Sequence, residues 1–320
     1  MTRQFDVFNG DADGICALHQ WRLAHPAEST LVTGVKRDIQ LLQSVKVGAG
    51  DTVTVFDVSF DSNRADALRL LADGAGLRWF DHHFAGEPVS HPGFEAHIDT
   101  AADVCTSLIV DQALGGRFRA WAVAAAFGDN LHVAAQVAAA SAGLTEAQIK
   151  VLAELGELIN YNGYGDTVAD LHFAPDELYR QIAPFADPLE FVGRSAVLRQ
   201  LQAGFKADML AAESLRPCLE KPHAAAWMLP DVPWARRVIG VMANRLAVVA
   251  PDCAHALLAP NATGNLTVSV RAPKNRPHGA DELCRRFPTG GGRKAAAGIN
   301  RLAAGDADAF LREFSLFYMD

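Results

Sequence analysis

Three short clusters of acid and imidazole side chains stand at the ends of apolar runs in this chain. They are Asn9-Gly10-Asp11-Ala12-Asp13-Gly14, Asp57 after Val53-Thr54-Val55-Phe56, and Asp81-His82-His83 after Leu77-Arg78-Trp79-Phe80. Carboxylates grip hard cations, and imidazole beside them favours a borderline metal such as Mn²⁺ over Ca²⁺ or a structural zinc site. Packing accounts poorly for three consecutive potential ligands directly after a strand. Each remaining cluster also has a plainer reading: Asp11 or Asp13 as the cap of a helix, Asp57 as an Asx-turn leading into Ser59.

The elements that position these residues can be read from local pattern. Phe5-Asp6-Val7-Phe8 reads as a short buried strand, and the turn after it leads into a helix beginning near Ile15. The runs at 53–56 and 77–80 are β-branched and aromatic, and they predict two more strands ending at Asp57 and Asp81. Carboxyl ends of successive strands are where an open α/β sheet builds its site. A fourth segment, Trp121 to Phe127, is apolar and ends in Gly128-Asp129-Asn130, either a helix C-cap or a turn that delivers another acid to the same pocket. The pattern reads as a metallohydrolase.

With these residues in order, the chain resembles the DHH phosphoesterase superfamily, which includes RecJ-type exonucleases, nano-RNases, family II pyrophosphatases and exopolyphosphatases. The matches are Asp11-Ala12-Asp13-Gly14, Asp57, Asp81-His82-His83 and Asp129, followed by Gly290-Gly291-Gly292-Arg293-Lys294-Ala295-Ala296-Ala297-Gly298, which is similar to the glycine-rich signature of the DHH-associated domain. The resemblance implies two Mn²⁺ ions per chain, with Mg²⁺ or Co²⁺ as substitutes. Asp11 and Asp57 would hold one, Asp13, Asp57, His82 and Asp129 the other, and Asp57 would bridge. His83 would face the substrate phosphate, and Asp81 would orient the His pair. Two cations about 3.5 to 4 Å apart acidify a shared water and neutralise charge at phosphorus.

Two positions depart from the family pattern. Asn9 stands where relatives carry His or Asp, and its neutral carbonyl is a poorer metal donor than imidazole. Arg293 stands where Gly-Gly-His is usual, after Gly291 and Gly292, and keeps a permanent charge for a phosphate. The small residues Ala295 to Ala297 suggest a helix whose N-terminus faces an anion, and Lys294 sits at its mouth. Leu266 to Arg271 alternates as a strand, and Arg271 resembles the family's Ser-x-Arg substrate contact.

Composition bounds the rest. A chain of 320 residues, 50% hydrophobic and 21% charged, has room for a large core and two domains. The expected organisation is α/β: a doubly wound, mostly parallel sheet in a catalytic domain over 1–190, with strand–helix alternation to about Asp187. A connecting helix and linker over 191–225 follow, then a smaller α/β substrate-binding domain over 226–320. A cleft between the lobes would carry the metals on one wall and Arg271, Arg293 and Lys294 on the other. Asn160-Tyr161-Asn162-Gly163-Tyr164-Gly165 reads as a loop whose aromatics either stack on a base or pack. Five cysteines without C-x-x-C spacing suggest reduced thiols, and the absence of a long apolar run or a signal-peptide core suggests a cytoplasmic protein without a membrane span.

From Pro222 onward the net charge is +4, against −12 for the remainder. The overall −8 argues against a long nucleic-acid track and for short substrates. The sequence therefore points to a metal-dependent phosphodiesterase or phosphomonoesterase acting on short oligonucleotides or small nucleotides. Alternatives are a polyphosphate or phosphometabolite hydrolase, or a degenerate nucleotide-binding member of the superfamily. The oligomeric state stays open, a homodimer included.

Overall fold

A computed structural model describes residues 2–319, which fall into two compact units that divide between 203 and 204. The first unit opens with β1 (Gln4–Phe8), α1 (Ala12–Ala24), β2 (Thr30–Val32), β3 (Thr52–Phe56), α2 (Phe60–Ala72), β4 (Gly76–Asp81) and β5 (Phe94–Ile98). All five strands are parallel, in the order β2-β1-β3-β4-β5. A parallel sheet covered on both faces needs near-continuous apolar strands, and four of the five residues in both β1 and β3 are buried. Phe5, Val7, Val53, Val55, Leu77 and Trp79 pack with Phe60, Ala67, Leu70 and Leu71 of α2.

Alternation of strand and helix stops at Ile98, not near Asp187 as the pattern suggests. From there the unit is helical: α3 (Thr106–Ala113), α4 (Arg119–Gly128), α5 (His132–Ser141), α6 (Glu146–Gly163), α7 (Pro175–Ile182), α8 (Pro188–Arg194) and the first part of α9 (Ala196–Glu213), whose remainder belongs to the second unit. The buried alanines of α4 explain why these segments resist a strand reading: without bulky side chains, helices can pack almost backbone to backbone. A Cβ on Gly156 of α6 would lie 1.9 Å from the carbonyl oxygen of Ala124, so only glycine permits this approach. Helix α6 also absorbs Asn160 to Gly163, which the sequence pattern places in a loop. Tyr161 is fully buried, with its hydroxyl 2.7 Å from His172 Nε2, and is thus a packing residue.

The second unit contains β6 (Leu219–Lys221), β7 (Ala224–Met228), α10 (Pro233–Val249), β8 (Ala254–Pro260), β9 (Leu266–Arg271), α11 (Ala280–Cys284), β10 (Gly290–Gly292), β11 (Ala296–Leu302) and α12 (Ala307–Phe317). Its strands run in the order β10-β11-β9-β8-β7-β6, parallel only between β7 and β8. Val268, Val270, Leu258, Ile299, Phe310 and Phe314 form its core.

Here the expected helix after the glycine run is absent: Gly290–Gly292 and Ala296–Leu302 are paired antiparallel strands. Glycine and alanine carry little local preference for strand, so pairing of β11 with β9 decides the conformation. A Cβ on Gly298 would sit 2.6 Å from Val268 O, which is why the small residues are needed there.

Candidate metal centre

The turn after β1 places two carboxylates without flexible spacers. Asp11 is the N-cap of α1, its Oδ1 accepting from Asp13 N at 3.0 Å and Gly14 N at 3.1 Å, so the helix starts at Ala12, three residues earlier than expected. Gly10 lets the turn close, since a Cβ there would meet Gly34 O at 2.0 Å. Capping fixes Asp11 Oδ1 and leaves Oδ2 directed elsewhere.

Asp13 is held from α3. Thr106 N donates to its Oδ2 and Ser107 N to its Oδ1, both at 2.7 Å, while Ser107 Oγ donates to the Asp13 carbonyl at 2.9 Å. Two donors at a helix N-terminus suit a carboxylate and leave each oxygen a further lone pair. Asp57, next after β3, has a φ of 58°, a left-handed conformation that carries strain in a non-glycine residue. Its amide donates to Phe80 O at 3.0 Å, and Thr106 Oγ1 donates to its Oδ1 at 3.1 Å. Asp129 is the C-cap of α4.

The two histidines have different second partners. His82 Nδ1 lies 3.0 Å from Val104 O; because a carbonyl accepts, this nitrogen carries a proton and Nε2 is the ring atom left to face the acids. That Nε2 is 3.4 Å from Asp57 Oδ1 and 3.8 Å from Asp129 Oδ2. His83 Nδ1 donates to Asp81 Oδ1 at 2.7 Å. Asp81 is fully buried, and its Oδ2 has no hydrogen-bond partner.

Two sets of ligand atoms therefore converge within 4.8 Å: Asp13, His82 and Asp129, and Asp57, His82 and His83. They share His82. Carboxylates crowded this closely repel one another unless a cation lies among them. The electrostatics agree: burial and the charges of Asp13, Asp11, Asp129 and Asp81 push the Asp57 carboxyl well above the usual range. Burial, with Asp13 and Asp11, likewise raises Asp129 in spite of Lys36 and His82. Asp81, as a hydrogen-bond acceptor, raises His83 despite its partial burial. The oxygen and imidazole donors of each set, Asp13 with His82 and Asp129 or Asp57 with His82 and His83, are of the kind that a divalent ion takes.

The other expected position does not fit in the same way. Lys36, in the turn after β2, places Nζ 2.5 Å from Asp11 Oδ2, 3.0 Å from Asn160 Oδ1 and 3.5 Å from Asp129 Oδ1. Although burial alone would lower it, Asp11, Tyr164 and Asp129 hold the Lys36 ammonium well above its ordinary pKa. Burial alone would raise Asp11, but the Lys36 charge and hydrogen bond outweigh it and leave the carboxyl below its ordinary value. Asn9 is nearby in the same turn, and its Nδ2 donates to Lys36 O at 3.3 Å.

Lys36, Asn160, Thr106 and Ser107 are site residues that the motif reading missed. The only local cue to Lys36 was a short β-branched run, Thr30-Leu31-Val32, followed by Thr33-Gly34. In the second unit Arg271 pairs in register with Ala296, and Arg293 N donates to Ala296 O at 2.8 Å. Arg271 Nε bonds Asn244 Oδ1 at 2.7 Å, whereas Arg293 and Lys294 are exposed in the β10–β11 turn beside Gly291 and Gly292.

No family model matches the chain, and no curated protein matches it in sequence. Solved structures do match in fold. The exonuclease RecJ bound to manganese is 17% identical with a TM-score of 0.63, the alignment covering 99% of this chain and 90% of that one. RecJ from Thermus thermophilus in complex with Mn²⁺ is 18% identical with a TM-score of 0.61, over 99% of this chain and 52% of the longer RecJ chain. The pGpG-specific phosphodiesterase PggH from Vibrio cholerae is 15% identical with a TM-score of 0.58, over 98% and 99%. In fold, this chain is similar to all three of these structures.

Proposed function

We propose that this protein is a divalent-metal-dependent phosphoesterase, with Mn²⁺ the favoured ion, that hydrolyses phosphodiester or phosphomonoester bonds in short oligonucleotides or small nucleotides. The observation that carries the reading is the convergence of two ligand sets that share His82, namely Asp13, His82 and Asp129, and Asp57, His82 and His83. Structural carboxylates are normally paired or hydrogen-bonded; these remain in excess of positive charge until a cation arrives. When bound, the ion supplies activation of water and charge neutralisation at phosphorus.

The chain's own groups then do the following. Asp13 is kept rigid by the first turn of α3, and Asp57 by its strained backbone and Thr106, so ligand positions are set before substrate enters. His83 has Nδ1 anchored on Asp81, which favours the protonated ring and leaves Nε2–H to donate to a phosphoryl or departing oxygen. Arg271, Arg293 and Lys294 are the second unit's anion-binding residues in this reading. Phe84, directly after His83, is 73% exposed, a large apolar face on which a base stacks. That face favours nucleotides over polyphosphate, and the pGpG phosphodiesterase among the fold neighbours supports the same class.

The test is hydrolysis of a dinucleotide such as pGpG, and of polyphosphate, by purified protein with and without Mn²⁺. Metal-dependent cleavage of the dinucleotide is expected. Metal-independent turnover, or no phosphoester cleavage across a panel of dinucleotides, 3′,5′-bisphosphates and cyclic dinucleotides, overturns the proposal.

A further inference from the structure

Deepening the phosphoesterase reading on which it rests, we propose that Lys36 is a built-in cation: its ammonium occupies the place beside Asp11 that a second divalent ion would take, so the centre holds one divalent ion and one ammonium. Three observations meet at this residue. First, Nζ contacts Asp11 Oδ2, Asn160 Oδ1 and Asp129 Oδ1 at 2.5, 3.0 and 3.5 Å, an arrangement of oxygens around a cation. Second, among the described residues Asp11 belongs to neither group of three His, Cys, Asp or Glu ligand atoms lying within 4.8 Å of one another. Of its two oxygens, Oδ1 caps α1 and Oδ2 accepts from Lys36 Nζ.

Third, the backbone is built to deliver this lysine. Lys36 N donates to Gly163 O at the end of α6 at 2.9 Å, and Asn9 Nδ2 donates to Lys36 O at 3.3 Å. The amide at position 9 is thus used as a donor to the lysine segment, a role that an Asp side chain cannot fill. Asn9 Oδ1 stays buried without a partner but adds no charge to hold a second ion. The departure at position 9 and the lysine at position 36 are one adaptation. Asn160 completes it, with a neutral oxygen where a cation needs a ligand and no further charge is required.

A monovalent ammonium in place of a divalent ion changes the chemistry available. It neutralises and donates hydrogen bonds to a phosphoryl oxygen, but it does not acidify a water as a metal does. With 24% of its side chain exposed, Lys36 keeps a face for that oxygen.

Metal stoichiometry decides the matter without reference to turnover. Native mass spectrometry and titration calorimetry of the full chain with Mn²⁺ should give one ion per chain, and the Mn²⁺ spin-resonance spectrum should show an isolated ion without exchange coupling. The double substitution Lys36→Met with Asn9→His should then take up a second ion and show a coupled pair. Two ions or a coupled spectrum in the unaltered protein overturns the inference, whether or not the variant folds. One ion in both proteins also overturns it, because the lysine would not be what excludes the second. No ion in either overturns the metal reading itself.

Discussion

The two ends of the parallel sheet treat aspartate in opposite ways. Toward the amino ends, Asp6 on β1 is fully buried and takes a bidentate Arg22, Nε and Nη2 both at 2.6 Å, plus Ser29 Oγ at 2.5 Å. Asp51, just before β3, accepts from Arg3 N and Gly48 N at 2.8 Å and from the Arg3 guanidinium at 2.7 Å; these backbone donors first, then the arginine, hold its pKa at about 2. At the carboxyl ends, Asp13, Asp57 and Asp81 have no arginine, and Asp57 is pushed the other way by burial and its neighbours. Acids toward the amino ends come with fixed cations, whereas these acids at the carboxyl ends are left short of positive charge. Asp11 is the exception at the second end, and its partner is Lys36.

The sharpest way to break this contrast is Asp57→Asn, which keeps the side-chain shape and a residue type that tolerates positive φ. Mn²⁺-dependent hydrolysis is expected to fall by at least about 10³-fold, on the order of 4 kcal/mol of transition-state stabilisation. Mn²⁺ at 100 times its dissociation constant should raise the stability of the unaltered protein by about 2.7 kcal/mol, a gain the variant lacks. Undiminished turnover in Asp57→Asn removes the residue from the centre.

At the opposite end, Asp6→Asn should lower stability by about 3 kcal/mol in denaturant unfolding, because it strands the nearly buried Arg22 guanidinium. In metal-free buffer Asp57→Asn should instead raise stability, by on the order of 1 kcal/mol, since one of several crowded buried charges is gone. The same chemical change thus carries opposite signs at the two ends. Equal destabilisation by both substitutions would erase the distinction.

Acid titration probes the same contrast. His19, on α1, is buried with Nε2 2.7 Å from Phe185 O, and burial lowers its pKa to about 4 although the carbonyl opposes the shift. Above the unfolded value near 6.5 it is neutral in both states, and its contribution to stability is complete. As pH falls from there to about 4, the unfolded chain takes up a proton that the folded one refuses, so stability drops by roughly 3 kcal/mol. Asp57, raised in the metal-free fold, has the reverse sign: its contribution is fully present below the ordinary carboxylate pKa and lost as pH rises through its folded value. Unfolding curves between pH 7 and 4 should therefore be steeper for metal-free Asp57→Asn than for the unaltered protein. In His19→Gln the acid-induced loss should shrink; an unchanged pH profile there would show that His19 does not titrate as its burial demands.

What the sequence disclosed follows the range of the forces involved. Asp81-His82-His83 and Asp57 were legible because each directly follows a strand whose own residues specify it. Asp129 was legible as the end of an apolar run. Lys36 was not, since its role depends on β2 pairing beside β1 and on Asn160, 124 positions away, lying on the same side of the sheet's end. Thr106 and Ser107 are ordinary helix-start residues until the fold brings Asp13, over 90 positions earlier, against their amides. The glycine run at 290–292 misled for a related reason: its residues fit helix N-terminus or strand equally, and only the pairing of β11 with β9 distinguishes them. The paired acids at the amino ends carried no signal either, because an Asp in a strand does not reveal whether an arginine awaits it.

The smallest expected effect concerns what else the carboxyl ends leave uncovered. Among the described residues, Phe84 is 73% exposed, one position beyond His83. An apolar ring in water near a charge-rich centre contributes nothing to the core, whereas stacking on a base is worth about 1 to 3 kcal/mol. Phe84→Ala should therefore raise KM for a dinucleotide about tenfold, leave kcat within a factor of two, and leave folding stability almost unchanged. Hydrolysis of a phosphoester lacking a base or other aromatic group should not respond. A matching loss on that substrate would mean that Phe84 shapes the centre rather than the nucleotide, and the preference for bases over bare phosphate would lose its structural support.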